Sequence, residues 1–444
     1  MRIAIALTCI LLAQTPAARA TVDSLQDRMQ KNVVTVRSID PADEDFSDLE
    51  PLLDKIGTAR VVQLGEPSHG AGSGFSAKAR MVKFLHERMG FDVLVWESGL
   101  YDVGLTAEQG IFAIWAKAAQ VQPLLEYVKS TRATLDPLDM AGFDVQFNSD
   151  ISFNRFANDL HEFLRPLANT ATRANALDHA NTAIAAYAAI RRRIHGGSQQ
   201  PDTDAFRKDR DTLLDSTDKL LAIMRDQRQL FLQVHSPLAL EMVEHVTENM
   251  RTDGLDLYDA IGPDRPAGTA AFTPRLEVEN RRDARNAINL LWLIQQVNSG
   301  KKVIVWAHNA HVMNAYYASD WHTAYSDPHE DSMKPTGVFL REKLGDQVYT
   351  IVMTTYEGVD GWVGARSTTA VQTAPVGSIE ETMHRLGKPY AFIDLRSLQA
   401  QPVAAQMRLP KYDSNTFRDL TRVADAVFYI DRMAPALAIS TDPH

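Results

Sequence analysis

Apolar residues in this chain follow two rhythms. Short runs, "RVVQL" (60–64), "DVLVW" (92–96), "DMAGF" (139–143) and "KVIVW" (302–306), have the length of buried strands, and all but the third are rich in β-branched residues. Between the first two, "FSAKARMVKFLHERMG" places Phe75, Val82, Leu85 and Met89 at helical spacing and closes on Gly90, a helix stop. A second helix is predicted from about Thr106 to Thr131, so the N-terminal part reads as repeated strand–helix–strand units around a parallel sheet. From Phe153 to Met250 the strand rhythm vanishes and a helical stretch is predicted, broken at "HGGSQQPD" (195–202). After the loop "GPDRPAG" (262–268), a long helix over 276–299 feeds "KVIVW". "VYTIVMTTY" (348–356), "YAFIDL" (390–395) and "AVFYI" (426–430) are later strands, with "SIEETMHRLG" (378–387) as a helix between two of them. The predicted class is α/β: a mostly parallel central sheet flanked by helices, with a large all-helical insertion or subdomain. Residues 21–150 and 271–444 form the two parts of the core on this reading, and 151–270 the insertion or cap.

The first twenty residues have a different pattern: Arg2, an apolar stretch from Ile3 to Ala13, then Ala18-Arg19-Ala20. A charged start, a short apolar core and a small-x-small site predict a removed secretory signal over 1–20, too short to span a membrane. The protein is therefore expected to be exported, periplasmic or secreted, without stable membrane insertion. Cys9, the single cysteine, lies in that segment, so the exported chain is left without thiol nucleophiles, thiolate metal sites or disulfides. A net charge of −10 with no basic block argues against nucleic acid as a partner. With 45% apolar residues the chain can build a large core, as two to three domains or as one enlarged domain with an insertion.

Candidate chemistry gathers behind the strands. Glu66 and His69 come after "RVVQL", Glu97 after "DVLVW", Asp144 after "DMAGF", and His308 and His311 after "KVIVW". Ligands of open parallel sheets bind beyond the carboxyl ends of the strands, so four segments deliver acids and imidazoles to one edge. In "LGEPSHG", Gly65 and Gly70 let the backbone turn around the pair, and Ser68 or Ser73 could cap the next helix. Glu66 and His69 suit a capped helix start with a structural histidine equally well. A carboxylate that orients an imidazole, however, makes a general base for water. Glu97, behind four apolar residues, is expected to have its pKa raised unless a cation lies close. His308 and His311 fit metal ligation as well as oxyanion stabilisation. "NRRDARNAINLLWL" puts Arg281, Arg282, Asp283 and Arg285 on a helix, as solvated ion pairs or as binding residues, and Lys78 and Arg80 are placed to supply positive charge near Glu66. The sequence has no G-x-S-x-G elbow, no H-E-x-x-H helix and no phosphate loop; "GAGSG" (70–74) lacks dinucleotide-loop spacing.

"LGEPSHG" with its amphipathic helix, then "FDVLVWESG", then "RRDARNAINLLWL" leading into "VIVWAHNAHV", resembles the erythromycin esterase family, with weaker echoes in "GFDVQ" (142–146) and "PTGVFLREKLGDQVYTI" (335–351). The resemblance implies an α/β core beside a helical part and cofactor-free, metal-independent hydrolysis of an ester or lactone. His69 would be the general base and Glu66 and Glu97 its orienting carboxylates. His308 would polarise the carbonyl or act as a second acid/base, and Arg282, matching the family's Arg-Asp pair, would serve binding or oxyanion stabilisation; Lys78, Arg80, Asp144 and His311 are read as substrate-binding from their placement in the sequence alone. It also implies a small-molecule substrate of macrolide type, held in a cleft. Many relatives continue from the motif histidine with Glu and paired aromatics, where this chain has Ala71-Gly72-Ser73-Gly74 and Phe75. Two rival readings stand beside this one. One is a metallohydrolase using Glu66, His69, Glu97 and His308 as ligands; the other is a non-catalytic envelope binding or biosynthesis accessory protein.

Overall fold

A computed structural model describes residues 27–148, 150–167, 170–195, 203–264, 276–316 and 333–439. The expected signal segment and the break at 196–202 lie outside the described residues. The strands are β1 (Val33–Val36), β2 (Val61–Leu64), β3 (Val93–Gly99), β4 (Asp139–Asp144), β5 (Val303–Trp306), β6 (Val348–Asp360), β7 (Thr369–Val371), β8 (Tyr390–Asp394), β9 (Ala405–Arg408), β10 (Ser414–Phe417) and β11 (Ala426–Met433). Among the described residues nine strands form one sheet in the order β1-β8-β11-β6-β2-β5-β3-β4, with β7 paired to β6, while β9 and β10 make a separate ribbon. From β11 to β4 every neighbour is parallel; β8 runs antiparallel to β11 and to β1. The mostly parallel sheet matches the expectation, and all seven sequence-predicted strands are present. The remaining four, β1, β7, β9 and β10, lie at a sheet edge or in the ribbon, where periodicity over three or four residues carries little signal.

Alternation along the strands builds two cores, because successive side chains point to opposite faces. Val61, Val93, Val95, Val303 and Val305 join one buried cluster with Phe156, Tyr187, Leu213, Leu220 and Met250. Val62, Leu64, Leu94, Trp96, Ile304 and Trp306 join another with Phe75, Val82 and Phe84. Helix α1 (Gly72–Met89) therefore covers one face. The other face carries the helical stretch, made of α4 (Asp150–Phe163), α5 (Thr170–His195), α6 (Thr203–Asp226) and α7 (Pro237–Ile261).

Two helix predictions are corrected. The single helix expected over 106–131 is broken into α2 (Leu100–Thr106), a 3-10 turn over Ala107–Gly110, a four-residue turn Ala113–Ala116, and α3 (Gln122–Thr131). Ala107 sits at φ 51°, outside helical space, and Gly110 lies against the Asp102 backbone, where an added Cβ would come within 2.3 Å. The helix expected to end near 299 is α8 (Leu276–Trp292), which relaxes into a π-turn over Leu293–Val297.

Candidate active site

Register explains why the strand-end residues converge. Leu64 and Trp96 both pair with Trp306, and Trp96 also pairs with Gly142, so β2 and β5 end beside the last residues of β3 and β4 and all four bring their following residues to the same edge. Glu97 is a correction in detail: it lies inside β3, at an irregularity between Trp96 and Gly99, rather than after the strand. The close approach of two of these segments requires glycine. A Cβ on Gly65 would fall 2.2 Å from the Asn309 side-chain oxygen, while that amide accepts from Met353 N (3.0 Å) and donates to Met353 O (2.8 Å), tying the segment after β5 to β6.

Glu66 is fully buried and engaged by three side chains. Its Oε1 lies 3.1 Å from His69 Nδ1 and accepts from Trp115 Nε1 at 2.9 Å, and its Oε2 accepts from Lys78 Nζ at 2.5 Å. The contact suits the tautomer in which His69 donates from Nδ1 to the carboxylate, and among the described residues its Nε2 makes no hydrogen bond. The His69 side chain is 21% exposed and lines a cleft of about 560 Å³ with Ser68, Glu279, His308, His311, Trp362 and Lys411. Trp115 and Trp362 pack edge-on against the ring, with centroids 5.2 and 5.5 Å away. Lys78 Nζ also donates to Ala307 O (3.1 Å) and stands 4.2 Å over the Trp306 ring; burial pushes its pKa down to about 8 against the pull of Glu66.

A second layer stands behind this pair. Burial alone would raise the Glu97 pKa, but His311, His69 and Arg282 overcome it and hold the carboxyl well below the usual range. His311 sits between two carboxylates, Nε2 at 3.2 Å from Glu97 Oε1 and Nδ1 at 2.8 Å from Asp283 Oδ1. Burial opposes its charge, yet Asp283 and Glu97 win and raise its pKa well above the ordinary histidine value. His311 is therefore an imidazolium. His308 is the opposite case: burial, with His69 and His311 nearby, drives its pKa well below the usual value. Its Nδ1 accepts from Ala310 N (3.0 Å), capping the turn α9 (Asn309–Val312), so Nε2 carries the proton and donates to Pro67 O at 3.2 Å. Both of its ring nitrogens thus face backbone groups, while the ring lines the cleft beside His69.

The structure brings Glu66, His69, Glu97, His308 and His311 together but separates the other candidates. Arg80 is a correction: two positions from Lys78 on α1 it points away from Glu66. Its guanidinium instead clamps Asp48 at 2.7 and 3.0 Å, together with the carbonyls of Ser38, Asp43 and Asp45. Arg282 and Asp144 pair with each other at 2.5 Å behind Glu97, and neither lines the cleft. Lys78 is 0% exposed and reaches Glu66 rather than the cleft, so it is a counter-ion and not a substrate contact. Neither serine caps α1: Ser68 Oγ accepts from Gly70 N and donates to Asp360, and Ser73 Oγ accepts from Ala434 N. For the Glu66, His69, Glu97, His308 ligand set, Glu66 is already engaged by Lys78, Trp115 and His69, and both His308 nitrogens face backbone groups. Among the described residues no group of three or more His, Cys, Asp or Glu has metal-holding geometry.

Sequence reasoning missed Trp115, which lay in the segment read as one helix, and Asp283, read as a solvated helix charge but 1% exposed and also bonded to Thr336. It also missed Trp362, Lys411 and Tyr412, which sit outside any strand-end motif. For Asp283, spacing within "RRDAR" held a usable signal, because α8 buries Asp283, Asn286, Ala287 and Leu290 on one face.

Known proteins share this architecture. YbfO of Bacillus subtilis (strain 168), a proposed hydrolase, is 26% identical over 84% of this chain and 82% of its own length. The erythromycin esterase type II of Escherichia coli is 22% identical over 88% of this chain and 93% of its own. Among solved structures, a succinoglycan biosynthesis protein superposes with a TM-score of 0.67 at 18% identity, covering 94% of this chain and 98% of that one. An erythromycin esterase mutant in its open conformation gives 0.63 at 16%, covering 91% and 98%. The sequence model of the erythromycin esterase family matches residues 86–432, starting after the Glu66–His69 loop. With most of its length under that match and an α/β sheet flanked by helices, the chain belongs to the erythromycin esterase family of hydrolases.

Proposed function

We propose that this protein is an exported hydrolase that opens a macrolide lactone or a similar ester with a water molecule activated by His69. The observation that supports the proposal is the Glu66–His69 contact of 3.1 Å at the wall of the cleft, which suits a tautomer with the proton on Nδ1 and Nε2 available to a water. Water bound at Nε2 gives its proton to the imidazole while its oxygen attacks the ester carbonyl. The tetrahedral oxyanion then collapses, and the imidazolium returns the proton to the leaving alkoxide. A lactone treated this way gains one water and stays one molecule. The lining of Trp362, Met333 and Val371 beside polar groups suits a large, mostly apolar substrate.

Mass spectrometry after incubation with macrolides and simpler lactones tests this directly, with a gain of one water as the expected result. His69→Ala is expected to abolish that gain, a loss of at least ~10²–10⁴ in kcat for a general base, while the melting temperature stays close to wild type. Turnover that survives His69→Ala, or binding without mass change, would remove the reading. Because Glu66 is filled by protein donors, activity is expected to persist after chelation; a stoichiometric metal with chelator-sensitive turnover would restore the metallohydrolase. Export is tested by finding the processed chain, lacking residues 1–20, outside the cytoplasm.

A further inference from the structure

We propose that Lys411 is the oxyanion donor of this cleft: its ammonium holds the negative oxygen that forms on the substrate carbonyl when the His69-bound water attacks. The inference rests on the hydrolytic reading above and supplies the element which that reading lacks. A base alone generates the tetrahedral oxyanion, and stabilising that charge is usually the largest single term in acyl transfer.

Among the described residues, the other cations that line the cleft or back its histidines are committed. Lys78 is fully buried on Glu66 and Ala307 O. Arg282 lies against Asp144 and Glu97, and His311 between Glu97 and Asp283. Arg408 lines the cleft, but its two terminal nitrogens donate to the carbonyls of Thr355, Tyr356 and Gln372. Both nitrogens of His308 serve backbone groups. Lys411, an exposed residue, also lines the cleft, and among the described residues its Nζ makes no hydrogen bond or ion pair.

The chain on either side of Lys411 is fastened to the two segments that carry the histidines. Before it, Pro410 O accepts from Asn309 Nδ2 at 3.2 Å, next to His308. After it, Tyr412 Oη donates to Asp360 Oδ2 at 2.7 Å, and Asp360 Oδ1 accepts from Ser68 Oγ at 3.1 Å, next to His69. An ammonium mounted on this bridge is positioned by the same elements that position the base. Its charge is close enough to His308 to contribute to keeping that imidazole neutral.

The test uses the full-length chain with p-nitrophenyl butyrate as a neutral ester and a phosphonate analogue of that ester as a stable mimic of the tetrahedral anion. Lys411→Met is expected to lower kcat at least about 10-fold, short of the ~10²–10³ of a fully buried donor because Lys411 is partly in water. KM should change less than about twofold, since a donor used only in the transition state leaves ground-state binding alone. Lys411→Arg is expected to restore most of the rate. Phosphonate affinity, measured by calorimetry without turnover, should fall in parallel with kcat/KM, and the melting temperature should not move. A Lys411→Met protein with wild-type kcat and phosphonate affinity, or a change confined to KM, would overturn the assignment. His69→Ala is run alongside: if it retains full turnover the hydrolytic reading falls and this one with it, whereas a dead His69→Ala beside a wild-type Lys411→Met refutes Lys411 alone.

Discussion

Trp115 Nε1 donates to Glu66 Oε1 at 2.9 Å, the same oxygen that holds His69 Nδ1, and the indole meets the imidazole edge-on at 5.2 Å. One side chain thus orients both members of the pair. Trp115→Phe keeps most of the ring and removes the donor. A hydrogen bond to a charged group contributes about 1.5–3 kcal/mol, so urea unfolding should lose roughly that amount at an unchanged slope. We expect kcat to fall with little change in KM, and a variant with wild-type kcat would show that Trp115 only fills space.

Lys78 provides a pH signature in which activity and stability move in opposite directions. Burial lowers its pKa from 10.5 to about 8, although Glu66 pulls the other way. Above that value Glu66 loses its counter-ion, so the rate is expected to fall along an alkaline limb near pH 8. The folded value lies below the unfolded one, so the unfolded chain binds more protons between about pH 8 and 10.5, and this group makes the fold gain stability as pH rises through that window. Lys78→Arg, which stays protonated throughout, should remove the alkaline limb from the pH–rate profile. An unchanged limb would locate it in another group.

Arg80, two residues away, predicts a different phenotype. It is 1% exposed and holds Asp48 in a bidentate clamp remote from the cleft. Arg80→Ala leaves that carboxylate with only the Arg37 and Ser38 amides as hydrogen-bond donors and should cost up to about 3–5 kcal/mol in chemical denaturation, with kcat unchanged at temperatures where the protein remains folded. A selective loss of kcat would return Arg80 to the reaction centre.

His311 links the two buried carboxylates behind the site. Its folded pKa is raised above 6.5, so its contribution to stability is complete below pH 6.5 and is lost as pH rises through the folded value. His311→Gln is expected to flatten that part of the stability profile. It should also let the Glu97 carboxyl climb, because His311 is the leading group that offsets its burial. NMR titration of ¹³C-labelled glutamate carboxyls would detect the change, and an unmoved Glu97 signal would contradict the assigned network.

The sequence by itself determined the strand–helix alternation, the parallel class of the sheet, the convergence of Glu66, Glu97, His308 and His311 at the strand ends, and the family. All of these rest on local patterns: four apolar residues announce a strand, and the residues after a parallel strand emerge at its carboxyl end. Only the tertiary structure decided which partner each of these groups takes. Partner choice depends on directions fixed by residues far away in the chain. Lys78 turned inward because Ala307 O lay 229 positions on to receive it, while Arg80, on the other side of the same helix, found Asp48. His308 and His69 are both imidazoles behind strands, and the sequence treats them alike. In three dimensions one has both nitrogens bonded to backbone, whereas the other meets a buried, lysine-held carboxylate through Nδ1 and makes no hydrogen bond from Nε2 among the described residues.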